Sequence, residues 1–295
     1  METKAAIAIS LVYIVLQTSA TPVTRQQILR TNPHCSTLVY MNNLYYTLDE
    51  RINVTGIPAD IAVHWKTGNV YFTLINEKMK MSLYVLRPGE ELESIKTNGL
   101  GQSAAVDNFN DIVYLATDNG IMKFKDVTST VEMFAASGED VMYIGITNDG
   151  KTLYIATWPQ NKVHKITNEG ANLETFSNIP NGHGLTIDTK NNIYFVATKT
   201  PYILRRGEMI PIKILDLPSD KMTNFFVSRS DAVYAMDEYS NVYVIDDEDA
   251  SAKKLGSFNI EGVNSFAMDA ADNILIGVKN AVLKYKVFER NPCPQ

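Results

Sequence analysis

Of its 295 residues the chain spends only two on cysteine, four on histidine and two on tryptophan. It has no C-x-x-C, H-E-x-x-H, G-x-S-x-G or P-loop, so the common signatures of zinc, serine-hydrolase and nucleotide chemistry are missing. None of the four histidines is spaced for a metal pair, and the acidic run Asp246-Asp247-Glu248-Asp249 lacks the spacing and glycine of a calcium loop. Positive charge is also short. With 27 Lys+Arg against 33 Asp+Glu the net charge is -6, which argues against binding a phosphate backbone. After residue 20 no stretch approaches 18 apolar residues, so no membrane span is expected. Nor does any segment sustain a 3.6-residue apolar period, so helices are not expected to carry the fold.

What is present begins with an export signal. Lys4 precedes an apolar run from Ala5 to Leu16, followed by the small residues Thr18-Ser19-Ala20. Residues 1–20 are therefore expected to be a cleaved signal peptide, the alternative being a buried N-terminal helix. The mature chain keeps the charge of -6, because Glu2 and Lys4 leave together. Residues 21–34 read as a flexible N-terminal segment and 35–295 as one domain. In an oxidising compartment Cys35 and Cys293 become candidates for a disulfide joining the two ends of the domain, the alternative being two free thiols. Asn53-Val54-Thr55 is an acceptable glycosylation sequon.

The informative feature is a repeat. Tyr71, Tyr114, Tyr154, Tyr194, Tyr234 and Leu275 each sit in a β-rich segment and are spaced by 43, 40, 40, 40 and 41 residues. Each anchor follows a short apolar strand and a polar turn, such as Asn148-Asp149-Gly150-Lys151, whose Asn, Asp and Gly tolerate left-handed conformations. Two more alternating strands follow each anchor, giving four antiparallel strands per unit. Sheets that cannot bury both faces alone stack radially, so the predicted fold is all-β: a six-bladed β-propeller. The last unit is one strand short, and the N-terminus has strand material to spare in Thr37–Met41, Leu44–Leu48 and the Asn53 stretch. The ring should therefore be closed by N- and C-terminal strands together, leaving no free edge.

In such a ring the starts of the innermost strands converge on one channel mouth. Here they carry Asp60, Gln102, Tyr143, His183, Asn224 and Asn264, and nearby loops carry Trp158, Lys199 and Lys279. Neutral hydrogen-bonding groups with aromatic faces suit a planar, polar small molecule. Each residue can equally be a strand cap or the filling of a wet channel. The glycines flanking His183 would let the backbone pass close to the channel and present the imidazole inward. The acidic run 246–249 and the pair Arg205-Arg206 read as solvated hairpins.

Phrases such as Gly182-His183-Gly184-Leu185-Thr186-Ile187-Asp188 and Asn148-Asp149-Gly150-Lys151-Thr152-Leu153-Tyr154 resemble the regucalcin/gluconolactonase superfamily of six-bladed propellers, over about residues 56–286. That resemblance implies, in its lactonases, a divalent metal held by a Glu, an Asn and an Asp at inner-strand starts. Ala59, Ile144 and His183 occupy the corresponding positions, so the hard oxygen ligands calcium needs are missing.

The whole-chain plan of signal, acidic mature chain and Tyr-centred repeats is similar to that of the ommochrome-binding proteins of moths and their lepidopteran relatives. This implies a non-catalytic, monomeric carrier, secreted into a haemolymph-type fluid, without metal or cofactor. Its ligand would be a small aromatic pigment such as xanthommatin. On that resemblance Tyr143, Trp158 and His183 would stack on the pigment and Gln102, Asn224 and Asn264 would hydrogen-bond its edges, with Lys199 or Lys279 meeting its carboxylate. The alternatives are a metal-dependent lactonase and an extracellular propeller that binds another protein.

Overall fold

The computed structural model describes residues 33–159, 161–218 and 222–293. The expected signal peptide, and all but the last two residues of the segment 21–34, lie outside them. After a short 3-10 turn at Pro33–Thr37 come strands β1 (Val39–Met41) and β2 (Leu44–Asn53). Blade one is β3 (Ile57–Val63), β4 (Val70–Ile75), β5 (Met81–Leu86) and β6 (Glu93–Ser94). Blade two is β7 (Gly101–Asp107), β8 (Ile112–Thr117), β9 (Gly120–Lys125) and β10 (Thr130–Ala135). Blade three is β11 (Val141–Ile146), β12 (Leu153–Thr157), β13 (Lys162–Thr167) and β14 (Asn172–Thr175). Blade four is β15 (His183–Ile187), β16 (Ile193–Ala197), β17 (Thr200–Leu204) and β18 (Ile212–Lys213). Blade five is β19 (Met222–Val227), β20 (Val233–Asp237), β21 (Asn241–Asp246) and β22 (Ser251–Ser257). Blade six has β23 (Val263–Met268), β24 (Ile274–Val278) and β25 (Ala281–Phe288).

The six-bladed propeller is thus present, and the first strands of the blades touch one another in sequence from β3 round to β23 and back to β3. The missing fourth strand of blade six is β2, antiparallel to β25 from Tyr45↔Phe288 to Asn53↔Ala281. Strand β1 adds a fifth strand outside it. Three further devices close the ring. Ser265 Oγ donates to the Pro58 carbonyl at 3.0 Å. Asn280 exchanges hydrogen bonds with Gly56, its N–H donating to the Gly56 carbonyl at 2.7 Å while its side-chain oxygen accepts from Gly56 N–H at 3.0 Å. Cys35 and Cys293, 258 residues apart in sequence, form the disulfide.

The anchors are where packing is densest. Each lies on the second strand of its blade; Tyr71, Tyr114, Tyr194 and Leu275 are buried, Tyr71 and Tyr194 fully, and Tyr154 and Tyr234 are half-buried. The core forms between blades rather than within them. Tyr71, Leu83 and Val85 of blade one, for example, pack with Val113, Leu115, Met122 and Phe124 of blade two. Polar turns then stitch neighbouring blades. Asn108 Oδ1 accepts from Trp65 N–H at 2.8 Å, Asn191 Oδ1 from Asn148 N–H at 2.9 Å, and Asp231 Oδ1 from Thr189 N–H at 2.9 Å. The acidic run and the Arg205 pair are not simply solvated, because Asp247 pairs with Lys190 at 2.8 Å and its carbonyl accepts from Arg205 Nε at 2.9 Å, clamping blade four to blade five.

Candidate functional site

A register shift recurs at the start of all six innermost strands: Ala59/Ala62, Gly101/Ser103, Val141/Tyr143, His183/Thr186, Met222/Asn224 and Val263/Ser265. A β-bulge leaves one residue unpaired, bends the strand and re-aims a side chain. In blades one and four the shift follows Ala59 and His183, and in the other four it precedes Ser103, Tyr143, Asn224 and Ser265, so all six lie at the strand starts near the channel mouth. Cross-strand pairing puts Ala59, Ser103, Tyr143, His183, Asn224 and Ser265 level with one another, each opposite the residue two beyond its anchor. Tyr143, not Ile144, is therefore the blade-three counterpart of Ala59 and His183.

The channel encloses a cavity of about 350 Å³. Its walls are mostly apolar, from residues such as Ile61, Ile144, Leu185 and Phe225, with Asp60 and Tyr143 at the strand-start end and Trp65 and Phe109 toward the other. The rings of Tyr143 and His183 lie 6.3 Å apart at 39°. Burial holds the His183 imidazole below its ordinary pKa, so it is neutral at pH 7. Burial, and then the nearby Asp60 charge, push the Tyr143 phenol well up.

Asp60 sits in the bulge of β3 at a φ of 48°, a left-handed conformation that Asp tolerates better than most residues. It is half-buried, reaching solvent only along the channel, and enclosure by the surrounding protein pushes its carboxyl up to about 7. Among the described residues no hydrogen-bond donor or cation meets this carboxylate. The other carboxylates of the lining differ. Asp107 accepts from Phe109 N–H, Asn110 N–H and Asn110 Nδ2 at 2.8 to 3.0 Å. Asp188 accepts from Asn192 N–H, Asn192 Nδ2 and Tyr194 OH over the same range. Those two are structural caps of their turns, and Asp60 is not.

The six residues expected to touch a ligand separate in the structure. Tyr143 lines the cavity, whereas His183 is outside the lining, its ring 6.3 Å from that of Tyr143. Gln102 is buried in its bulge, its Nε2 donating to Asp140 and its Oε1 left without a partner. Asn264 is exposed and donates back to the Gly262 carbonyl at 2.8 Å. Trp158, in a cis Trp158–Pro159 turn, is 56% exposed and outside the cavity lining. Asn224 lies in β19, and its side chain is outside the described residues. Lys199 and Lys279 are exposed hairpin residues. Of the two glycines flanking His183, Gly184 takes a φ of 63° over open space, whereas a Cβ on Gly182 would press on Ile179 and Phe195 at 3.0 Å.

Sequence reasoning placed Asp60 in the ring but not among the six contacts, and it passed over Trp65 and Ser103. Both of these line the cavity and carry an enclosed polar atom, Nε1 and Oγ, with no partner. The available signal was Asp60 itself, a carboxylate placed directly before the apolar run Ile61-Ala62-Val63.

A lactonase-type metal does not fit this end of the channel. Ala59, Tyr143 and His183 offer one imidazole and no carboxylate, and among the described residues no three His, Cys, Asp or Glu side chains converge.

No protein-family model matches the sequence, and no curated protein matches it either. Solved structures do. A gluconolactonase from Xanthomonas campestris superposes with a TM-score of 0.67 at 10% identity, covering 86% of this chain and 93% of that one. Virginiamycin B lyase from Staphylococcus aureus gives 0.56 at 11% identity, covering 82% and 99%. A Bacteroides thetaiotaomicron protein of unknown function gives 0.65 at 9%, covering 81% and 72%. At such identities the likeness shows the fold alone, a β-propeller.

Proposed function

We propose that this protein is a non-catalytic carrier holding a small aromatic pigment of the ommochrome class, such as xanthommatin, at the strand-start end of its channel. The observation that carries the proposal is the cavity itself: about 350 Å³, largely apolar, with Tyr143 in its lining and the His183 ring 6.3 Å from that of Tyr143. Its volume falls at the lower end of the range of small-molecule sites, and apolar walls with few placed polar groups are their usual construction. The metal-dependent lactonase reading has less support, because among the described residues no three His, Cys, Asp or Glu side chains converge to hold a metal.

The carrier acts outside the cell. A disulfide joining Cys35 to Cys293 is at home in an oxidising compartment, and among the described residues no helix is long and apolar enough to cross a membrane. The protein purified from its native fluid should show a visible chromophore, and the colourless protein should bind xanthommatin with quenching of tryptophan fluorescence. A colourless protein that xanthommatin does not quench would sink the proposal. Position is tested by two variants. Tyr143→Ala should weaken pigment binding about tenfold or more, the loss of one buried stacking partner, whereas Trp158→Ala should change it less than about twofold. The reverse order would move the ligand out of the channel and onto the rim.

A further inference from the structure

We infer that the ligand of this channel carries a protonated amine, and that Asp60 is the residue that selects it. The inference rests on reading the channel as a small-molecule site and deepens it by naming the charge of the molecule.

The argument starts from what an enclosed carboxylate needs. Asp107 and Asp188 have three donors each, while Asp60 has none among the described residues and still lines the cavity. A neutral ligand filling the space would displace solvent from Asp60 and leave its charge unpaired, which is costly. An anion would be repelled. A metal ion needs several oxygen ligands, and Asp60 has no second carboxylate beside it. An ammonium group needs one carboxylate and is further favoured by aromatic faces, which Tyr143 and His183 supply at the same end of the channel. The bulge and the left-handed φ of Asp60 position the carboxylate there, so the backbone geometry and the missing partner point to the same occupant. Pigment recognition then runs through an amine at Asp60 rather than through a carboxylate at Lys199 or Lys279, both of which lie exposed on hairpins.

At pH 8 Asp60 is mostly ionised, because its carboxyl is pushed up only to about 7. The other titratable side chains at this end are Tyr143 and His183 on the facing strands and Asp140, which accepts from Gln102. Tyr143 and His183 are neutral at that pH, the first raised and the second lowered by burial.

The test uses three phenols of one shape and different charge, titrated calorimetrically into the full chain at pH 8: tyramine (cationic), 4-ethylphenol (neutral) and 3-(4-hydroxyphenyl)propionate (anionic). Tyramine should bind at least about tenfold more tightly than 4-ethylphenol, the size of a charge-assisted hydrogen bond, with the propionate weakest. Asp60→Asn should erase that preference, with tyramine falling to the level of 4-ethylphenol and 4-ethylphenol binding at least as tightly as to the wild type, because no charge is left unpaired; an unchanged circular-dichroism spectrum and a cooperative urea transition show that the variant is folded. Equal binding of tyramine and 4-ethylphenol by the wild type would overturn the inference and leave the small-molecule reading standing. So would a tyramine preference that survives in Asp60→Asn, or displacement of tyramine by millimolar calcium. If no phenol of any charge binds, both readings fall.

Discussion

Replacing Asp60 by Asn should stabilise the protein, and by an amount that depends on pH. Asn keeps the shape of the side chain and tolerates the φ of 48°, so the substitution removes the charge without adding backbone strain. In the unfolded chain the Asp60 carboxyl loses its proton near its ordinary value of 3.8, whereas in the folded protein it holds the proton until about 7. Between those values the native state binds a proton that the unfolded state has lost. Stability therefore falls as pH rises through that window, and above it the full penalty of the enclosed charge stands. A shift of roughly three units corresponds to a ceiling of ~4 kcal/mol. Solvent contact along the channel screens part of this, so ~1–3 kcal/mol is the expected gain of the variant at pH 8. Urea titrations at intervals from pH 4 to pH 8 would read it directly. The two proteins should have nearly equal stability near pH 4 and diverge steadily above it. A difference that stays flat across that range, or a wild type more stable than the variant at pH 8, would refute the claim that the channel isolates this carboxylate.

Three other outcomes are expected. Cys35→Ser should lower the urea midpoint without unfolding the ring, since the β2–β25 pairing remains; chain entropy sets a ceiling of about 5.5 kcal/mol on the loss. Peptide mapping of the native protein should find no alkylatable thiol. Gly277→Ala should cost at least ~2 kcal/mol, because the new Cβ would collide with Ser265 Oγ and lie 2.9 Å from the Pro58 carbonyl, both part of the ring closure. Thermal melts would check it, and a variant as stable as the wild type would show that the blade-six to blade-one contact is looser than described. Asn53 is exposed at the end of β2, so expression through a secretory pathway should add a glycan that Thr55→Ala abolishes, seen as a mass difference on intact protein.

Much of the fold was legible in the chain because a propeller is built from local units. The Tyr anchors, the turns rich in Asn, Asp and Gly, and the alternation of strands such as Met81–Leu86, with Leu83 and Val85 buried, are short-range patterns, and five of the six blades are runs of consecutive hairpins. The functional end was less legible. Gln102, Tyr143, His183, Asn224 and Asn264 were grouped correctly at strand starts, but a bulge of one residue decides whether such a side chain faces the cavity, as with Tyr143, or a neighbouring blade, as with Gln102 and its partner Asp140. Periodicity of two cannot register that one-residue shift.

The sequence by itself determined the number of blades, their order and the two cysteines able to join the ends, because these depend on residues near one another in the chain or on their being the sole candidates. The tertiary structure alone decided that Leu44–Asn53 is the closing strand, since that depends on pairing with Ala281–Phe288 at the other end of the chain. It alone also decided that, among the described residues, no donor meets the Asp60 carboxylate. Asp107 and Asp188 are capped by donors two to six residues further along, a local pattern, whereas what reaches Asp60 depends on what four other blades bring to the channel around it.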